Sequence, residues 1–377
     1  MPIKISQQFD AGSIEVICEE SPQHIDLNIR KDSNSDFLQW FYFRLQGARG
    51  ELCTIRFLNA AQAAFPDGWN AYQAVASYDR ENWFRVPTTY DGQILTVKYA
   101  PERDSIYFAY FEPYSSERHL QLLGRAENSS LVRVRNLGNT LDGRDMNVVM
   151  IGNPDATKKI WVIARQHPGE TMAEWFAEGM IEALLDAANP IAQQLLRHAI
   201  FYVVPNMNLD GSARGNLRTN AAGTNLNREW MSPSLETSPE VFLVKNKIHE
   251  VGCDLFLDIH GDEALPYVFV AGCEMLEDFS AQQAAEQQIF IERFKQASAD
   301  FQTEHGYAAG KYQESVLKLA SKYIGHTFKC VSLTLEMPFK DNANLPNAQV
   351  GWNGARSASL GREILEPILA TLESTNR

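Results

Sequence analysis

The chain has 377 residues, 45% hydrophobic and 21% charged, the make-up of a folded globular protein and far too long for a peptide hormone or a disulfide-stapled mini-domain. Its 34 basic against 47 acidic residues give a formal net charge of −13. That balance repels nucleic acid and anionic membranes, so neither is an expected partner.

The opening stretch MPIKISQQFDAGSIEVICEE meets polar or acidic residues within a few positions and so lacks the apolar run of about 7–15 residues that marks a secretory signal. No segment approaches the roughly 20 consecutive apolar residues of a membrane span. Five cysteines, Cys18, Cys53, Cys253, Cys273 and Cys330, are scattered without a CxxC pair and read as reduced thiols. Together these features predict a cytoplasmic protein.

Through roughly the first third, apolar and polar residues alternate with period two, as in IDLNIR, FYFRLQG, CTIRFLN, YQAVASYD, ILTVKYA and IYFAYFEP. Between them, PDGWN, YDGQ and PERDS carry the chemistry of hairpin loops. Residues 1–125 are therefore expected to form an antiparallel β-sandwich. The rhythm then changes. Over 126–377, continuous apolar runs alternate with helical stretches, which predicts an α/β domain with a mixed sheet covered on both faces. Strands are expected at 146–152, 159–166, 198–206, 254–261, 267–272 and 331–339, and helices at 170–186, 277–305 and 355–373. Residues 207–240, rich in Asn, Gly, Ser and Pro, read as a long ordered loop, and such loops are usually functional.

Chemistry concentrates at the ends of the predicted strands. In RQHPGET, His167 and Glu170 stand three apart where a strand gives way to a helix, a common way to present two zinc ligands. A plainer reading exists, because a carboxylate in the first turn of a helix is favoured whatever its function. His260, at the end of CDLFLDIHGDE, is the best third ligand, and two histidines with one glutamate leave a zinc position open for water. Glu336, in the apolar run SLTLEMPF, is a candidate base, since an unpaired buried carboxylate costs roughly 3–5 kcal/mol and needs a reason to persist. Pairing with a structural Arg or Lys would be another reason. The loop also holds Arg218 and Asn225-Leu226-Asn227-Arg228; arginines and amides grouped in this way suit recognition of a carboxylate and of a developing oxyanion.

The combination HPGE, NLNR, DIHGDE and TLEMPF resembles the M14-type zinc carboxypeptidases. HPGET, HGDEALPY and an N-terminal β-domain ending in YFEPYSSERH resemble the cytosolic carboxypeptidase subgroup in particular. The resemblance implies a metallocarboxypeptidase with one zinc ion held by His167, Glu170 and His260, acting on the C-termini of peptides or proteins, with 126–377 as its catalytic domain. It further implies Glu336 as base and then proton donor, Arg218 on the oxyanion, Asn227 and Arg228 on the substrate carboxylate, and Tyr312 as a capping residue. Relatives often carry Asp where Asn225 stands, which raises the question of what orients the ligand histidine, with Asp258 one candidate. Lys318, Lys322 and His326 are available for the specificity pocket, so an acidic C-terminal residue is the expected preference. A zinc deacylase of N-acyl amino acids is the alternative, disfavoured by the N-terminal module.

Overall fold

The structure, a computed structural model, describes residues 2–308 and 313–374. The N-terminal part holds two five-stranded sheets. One is antiparallel throughout and runs Lys4–Ser6, Tyr42–Gln46, Ser105–Ala109, Val75–Ser77 and Trp83–Arg85. The other runs Glu15–Ser21, His24–Asn28, Cys53–Phe57, Leu95–Tyr99 and Thr88–Tyr90, antiparallel apart from the His24–Asn28 and Cys53–Phe57 pair. Alternation sets their faces: Cys53, Ile55 and Phe57 are buried while Thr54 and Arg56 are not. Phe41 and Phe57 meet with ring centroids 4.5 Å apart.

The helix Ser116–Glu127, which the periodicity did not reveal, leads into the second half. Asp10 tethers its start by accepting the Ser116 N–H at 2.8 Å. A seven-stranded mixed sheet follows in the order Val132–Asn139, Asp145–Ile151, Ala199–Val204, Lys158–Ala164, Leu255–Asp262, Val331–Pro338 and Phe269–Ala271. The four strands from Ala199–Val204 to Val331–Pro338 are parallel to one another, and the outer pairings are antiparallel. Every residue of Leu255–Asp262 and Val331–Pro338 is buried, the condition of strands covered on both faces.

Packing of the helices explains two glycines. Met172–Leu185 crosses Gly354–Glu363 so closely that a Cβ on Gly179 would lie 2.0 Å from the Ala358 carbonyl oxygen, and one on Gly361 would lie 2.1 Å from that of Phe176. The C-terminal stretch expected as one helix is two, Gly354–Glu363 and Leu365–Ser374; Pro367 has no N–H to bond back to Glu363, which breaks the run. Likewise the helix expected over 277–305 is confined to Ala281–Ala297, because the chain then turns to stack Phe301 on Phe294 at 4.3 Å. The 207–240 loop contains a short helix, Leu209–Arg214, and a 3₁₀ turn, Leu226–Arg228.

One apolar cluster runs through both halves, from Ile5, Phe43 and Tyr110 to Leu257, Leu335 and Phe339. Tyr110 stacks on Phe339 at 4.7 Å. Beside it, the Arg85 guanidinium donates to the carbonyls of Phe339 and Trp352, each at 2.9 Å. All five cysteines are free thiols. Among the described residues no helix is long and apolar enough to cross a membrane.

Candidate active site

Neighbouring parallel strands Lys158–Ala164, Leu255–Asp262 and Val331–Pro338 deliver His167, His260 and Glu336 to one end of the sheet, the carboxyl edge at which open α/β sheets build their sites. His260 and Glu336 lie directly opposite each other in strand register. The turn carrying His167 is shaped by Arg165, a buried non-glycine residue with φ +58°. Such a conformation costs on the order of 1 kcal/mol. Its guanidinium offsets that cost by donating to the Pro168 carbonyl at 2.9 Å, the Tyr114 carbonyl at 3.0 Å and Glu174 at 2.7 Å.

His167, Glu170 and His260 are all buried, and one ligand atom from each lies within 4.8 Å of the others. Nδ1 of His167 is 2.6 Å from Glu170 Oε1, Nδ1 of His260 is 2.7 Å from Oε2, and the two Nδ1 atoms are 3.2 Å apart. The outer nitrogens are held in turn: His167 Nε2–H donates to Asn225 Oδ1 at 3.1 Å, and His260 Nε2–H to Asp258 at 2.9 Å. These outer acceptors favour the tautomers whose lone pairs face inward, as a metal requires. Until a metal binds between the rings, Asp258 and Glu170 outweigh burial and raise the His260 pKa well above its usual value. Asn225 thus does the work expected of an aspartate, because an amide oxygen also accepts an imidazole N–H. Asp258 is fixed by the Gln166 amide nitrogen, which reaches both its oxygens at 2.9 Å, and Gln166 by the Trp230 indole at 2.9 Å. Burial, reinforced by the nearby Arg218 charge, holds His167 down at about 3, leaving it neutral, the form that binds metal. Despite burial, the two histidines hold Glu170 well below the usual carboxylate range. Two imidazoles and a carboxylate, converged and buried, match the donor set of catalytic zinc.

Glu336 faces the same cavity, of about 130 Å³, together with Arg218, Asn227, Arg228 and Lys322. Its Oε1 receives the Tyr307 hydroxyl at 2.8 Å, while Oε2 is buried with no hydrogen-bond partner among the described residues. Burial, with Glu170 and Asp262 adding like charge against the opposing His260, pushes its carboxyl up to about 8. Tyr307 is 3.0 Å from Asp262 as well, so one phenol bridges two carboxyl groups. Nothing in EHGYAAG signals this residue. Phe65 also lines the cavity, from the other end of the chain.

The 3₁₀ turn Leu226–Arg228 places Asn227 and Arg228 on the cavity wall. Asn227 Oδ1 accepts the Ala320 N–H at 2.9 Å, and its amide nitrogen lies 3.3 Å from His260 Nε2. Among the three basic candidates for the specificity pocket, only Lys322 lines the cavity. Its ammonium is 3.1 Å from the Ala271 carbonyl, which it bonds together with that of Gly272, and burial lowers its pKa. Lys318 is exposed, and His326 pairs with Asp278 at 2.7 Å. Tyr312 lies outside the described residues.

Comparisons with known proteins agree with this geometry. Residues 5–111 match the model of the cytosolic carboxypeptidase N-terminal domain, and residues 118–351 match that of the zinc carboxypeptidases. The chain is similar to the crystal structure of a metallo-carboxypeptidase from Burkholderia cenocepacia, with 58% identity and a TM-score of 0.97 over 99% of this chain and 100% of that one. A metallo-carboxypeptidase from Pseudomonas aeruginosa, in complex with (2-guanidinoethylmercapto)succinic acid, is 45% identical with a TM-score of 0.95 over 98% and 99% of the two chains. Human cytosolic carboxypeptidase 1 is 28% identical over 326 residues, 73% of this chain, and the match spans 26% of the human protein's length. The chain belongs to the M14 family of zinc carboxypeptidases: it is a zinc-dependent metallocarboxypeptidase that carries the N-terminal domain of the cytosolic carboxypeptidases.

Proposed function

We propose that the protein releases single residues, acidic ones preferentially, from the free C-termini of peptides or proteins in the cytoplasm, with 1–125 and 126–377 as its two domains. His167, Glu170 and His260 would hold the zinc ion, which when bound would supply Lewis acidity, lowering the pKa of water toward about 7 and polarising the scissile carbonyl. Glu336 takes the proton of the attacking water and returns it to the leaving amine as the C–N bond breaks; its unpartnered, buried Oε2 supports this role. Arg218 donates to the oxyanion that forms on the carbonyl oxygen, where charge develops only in the transition state. Asn227 and Arg228 grip the terminal carboxylate, with Tyr312 as the capping residue.

The observation that carries the preference is the buried Lys322 ammonium in the cavity wall. Two of its three protons are engaged by the Ala271 and Gly272 carbonyls, leaving one for a side-chain carboxylate. Matched peptides ending in Glu, Asp, Lys or Phe, with N-acyl glutamate as the deacylase control, test the reading. Glu is expected to be released fastest, and Lys322→Met to lower kcat/KM for Glu by about 10- to 100-fold, the value of a charged hydrogen bond. Faster release of Lys than of Glu would rule the preference out.

A further inference from the structure

We propose that Asp32, in the N-terminal module, is a positioning residue for Arg218, so that the module completes the oxyanion-binding part of the site. The inference rests on the role given to Arg218 above. Asp32 is 5% exposed, and its carboxylate is ringed by donors from three successive residues of the catalytic loop. The Leu217 N–H reaches Oδ1 at 2.6 Å; the Arg218 N–H, the Thr219 N–H and the Thr219 hydroxyl reach Oδ2 at 2.8, 2.9 and 3.0 Å. Consecutive N–H groups converging on one anion form a concave nest. Any rotation that re-aims the Arg218 side chain from its backbone breaks at least one of these bonds. Only an acceptor on both oxygens satisfies all four donors, which an amide cannot do.

The same segment of the module continues the grip. The Arg218 guanidinium stands over the rings of Phe37 and Phe65, at 5.7 and 5.2 Å, which restrains it as Asp32 restrains the backbone. Asn34 donates to the Ala221 carbonyl at 2.9 Å. The two backbones touch there: a Cβ on Gly223, whose φ is +82°, would lie 2.1 Å from the Asn34 carbonyl oxygen. The arrangement also reaches the metal ligands. While its N–H bonds Asp32, the carbonyl of Leu217 accepts the N–H of Gly169, the residue before Glu170, at 2.8 Å.

A double-mutant cycle on the zinc-loaded full chain, with an N-acylated dipeptide ending in Glu, decides the matter. Arg218→Ala is expected to lower kcat by about 10²- to 10³-fold, the loss of an oxyanion donor. Asp32→Asn is expected to lower kcat by at least about 10-fold with KM within about 2-fold of wild type, because the misplaced group acts in the transition state. In the Arg218→Ala background the same Asp32→Asn change is expected to cost less than about 2-fold. Phe37→Leu, on a half-buried ring and so safer for folding, is expected to show a smaller kcat loss with the same masking. Hydrogen exchange on the metal-free protein should show the amides of 217–219 protected in wild type and faster in Asp32→Asn. If Arg218→Ala is slow but Asp32→Asn and Phe37→Leu each subtract their full loss on top of it, their roles are merely structural and the proposal is overturned. If Arg218→Ala turns over at the wild-type rate, the Arg218 assignment itself fails and the proposal with it.

Discussion

Glu240 gives a quantitative test of the loop that carries the site. It lies in the first turn of the helix Pro239–Val251 with no solvent exposure, and a neutral amide, Asn220 Nδ2, reaches its two oxygens at 3.3 and 3.1 Å. Asn220 also accepts the N–H groups of Ala222 and Thr224, so the glutamate sits beneath the turn that follows Arg218. Burial, with Asp210 and Asp142 adding like charge, pushes its carboxyl from 4.5 up to about 7. In that interval the folded state binds more protons than the unfolded chain. Stability therefore falls as pH rises from the unfolded value through the folded one. At ~1.4 kcal/mol per pH unit the loss totals about 3.5 kcal/mol, of which about 2.5 kcal/mol falls between pH 5 and pH 8. Glu240→Gln keeps the shape and the Asn220 contact but cannot ionise. Urea unfolding of metal-free wild type and variant, followed by fluorescence and circular dichroism, should show the variant gaining about 2.5 kcal/mol relative to wild type between those pH values. A stability difference that does not change with pH would refute the reasoning.

Three further outcomes are expected. His167→Ala and His260→Ala should each lose zinc and turnover together, whereas Glu336→Gln should keep one zinc per chain and lose about 10²- to 10⁴-fold in kcat; metal analysis beside kinetics separates the two classes. Asn225→Ala, which leaves the His167 Nε2–H without its acceptor, should weaken zinc by about 10- to 100-fold in competition with a chelator, and Asn225→Asp should restore it. Gly179→Ala drives a methyl into the Ala358 carbonyl and should cost at least about 3 kcal/mol, so an unchanged melting temperature would contradict the packing described.

The cluster of His167, Glu170 and His260 was legible in the sequence because each sits at or just after the point where an apolar run stops, and a charged or imidazole side chain there stands out locally. Glu336 was legible for the related reason that a carboxylate inside a buried strand is conspicuous. The supporting groups were not. Tyr307 and Phe65 become part of the site only through tertiary folding, and Lys322 could be told from Lys318 and His326 only once the helix Ala320–Phe328 had a direction. The edge strand Val132–Asn139 was missed because all of its residues but Val132 are exposed or half-buried and two are arginines, which leaves the alternation faint. The fold class followed from the change of rhythm near residue 125, a signal spread over many residues and so robust to single exceptions.

The continuous core also has a consequence for biosynthesis. Arg85 and the Phe339 carbonyl it bonds are 254 residues apart in sequence, yet they belong to the same packed junction as Tyr110. At about 5–20 residues per second, the ribosome needs roughly 10–50 s to supply the second partner after the first has emerged. Until Phe339 is made, Tyr110 packs on Trp69 and Tyr72 within the module, but the side it shares with Phe111 toward Phe339 stays uncovered, an apolar surface open to premature association.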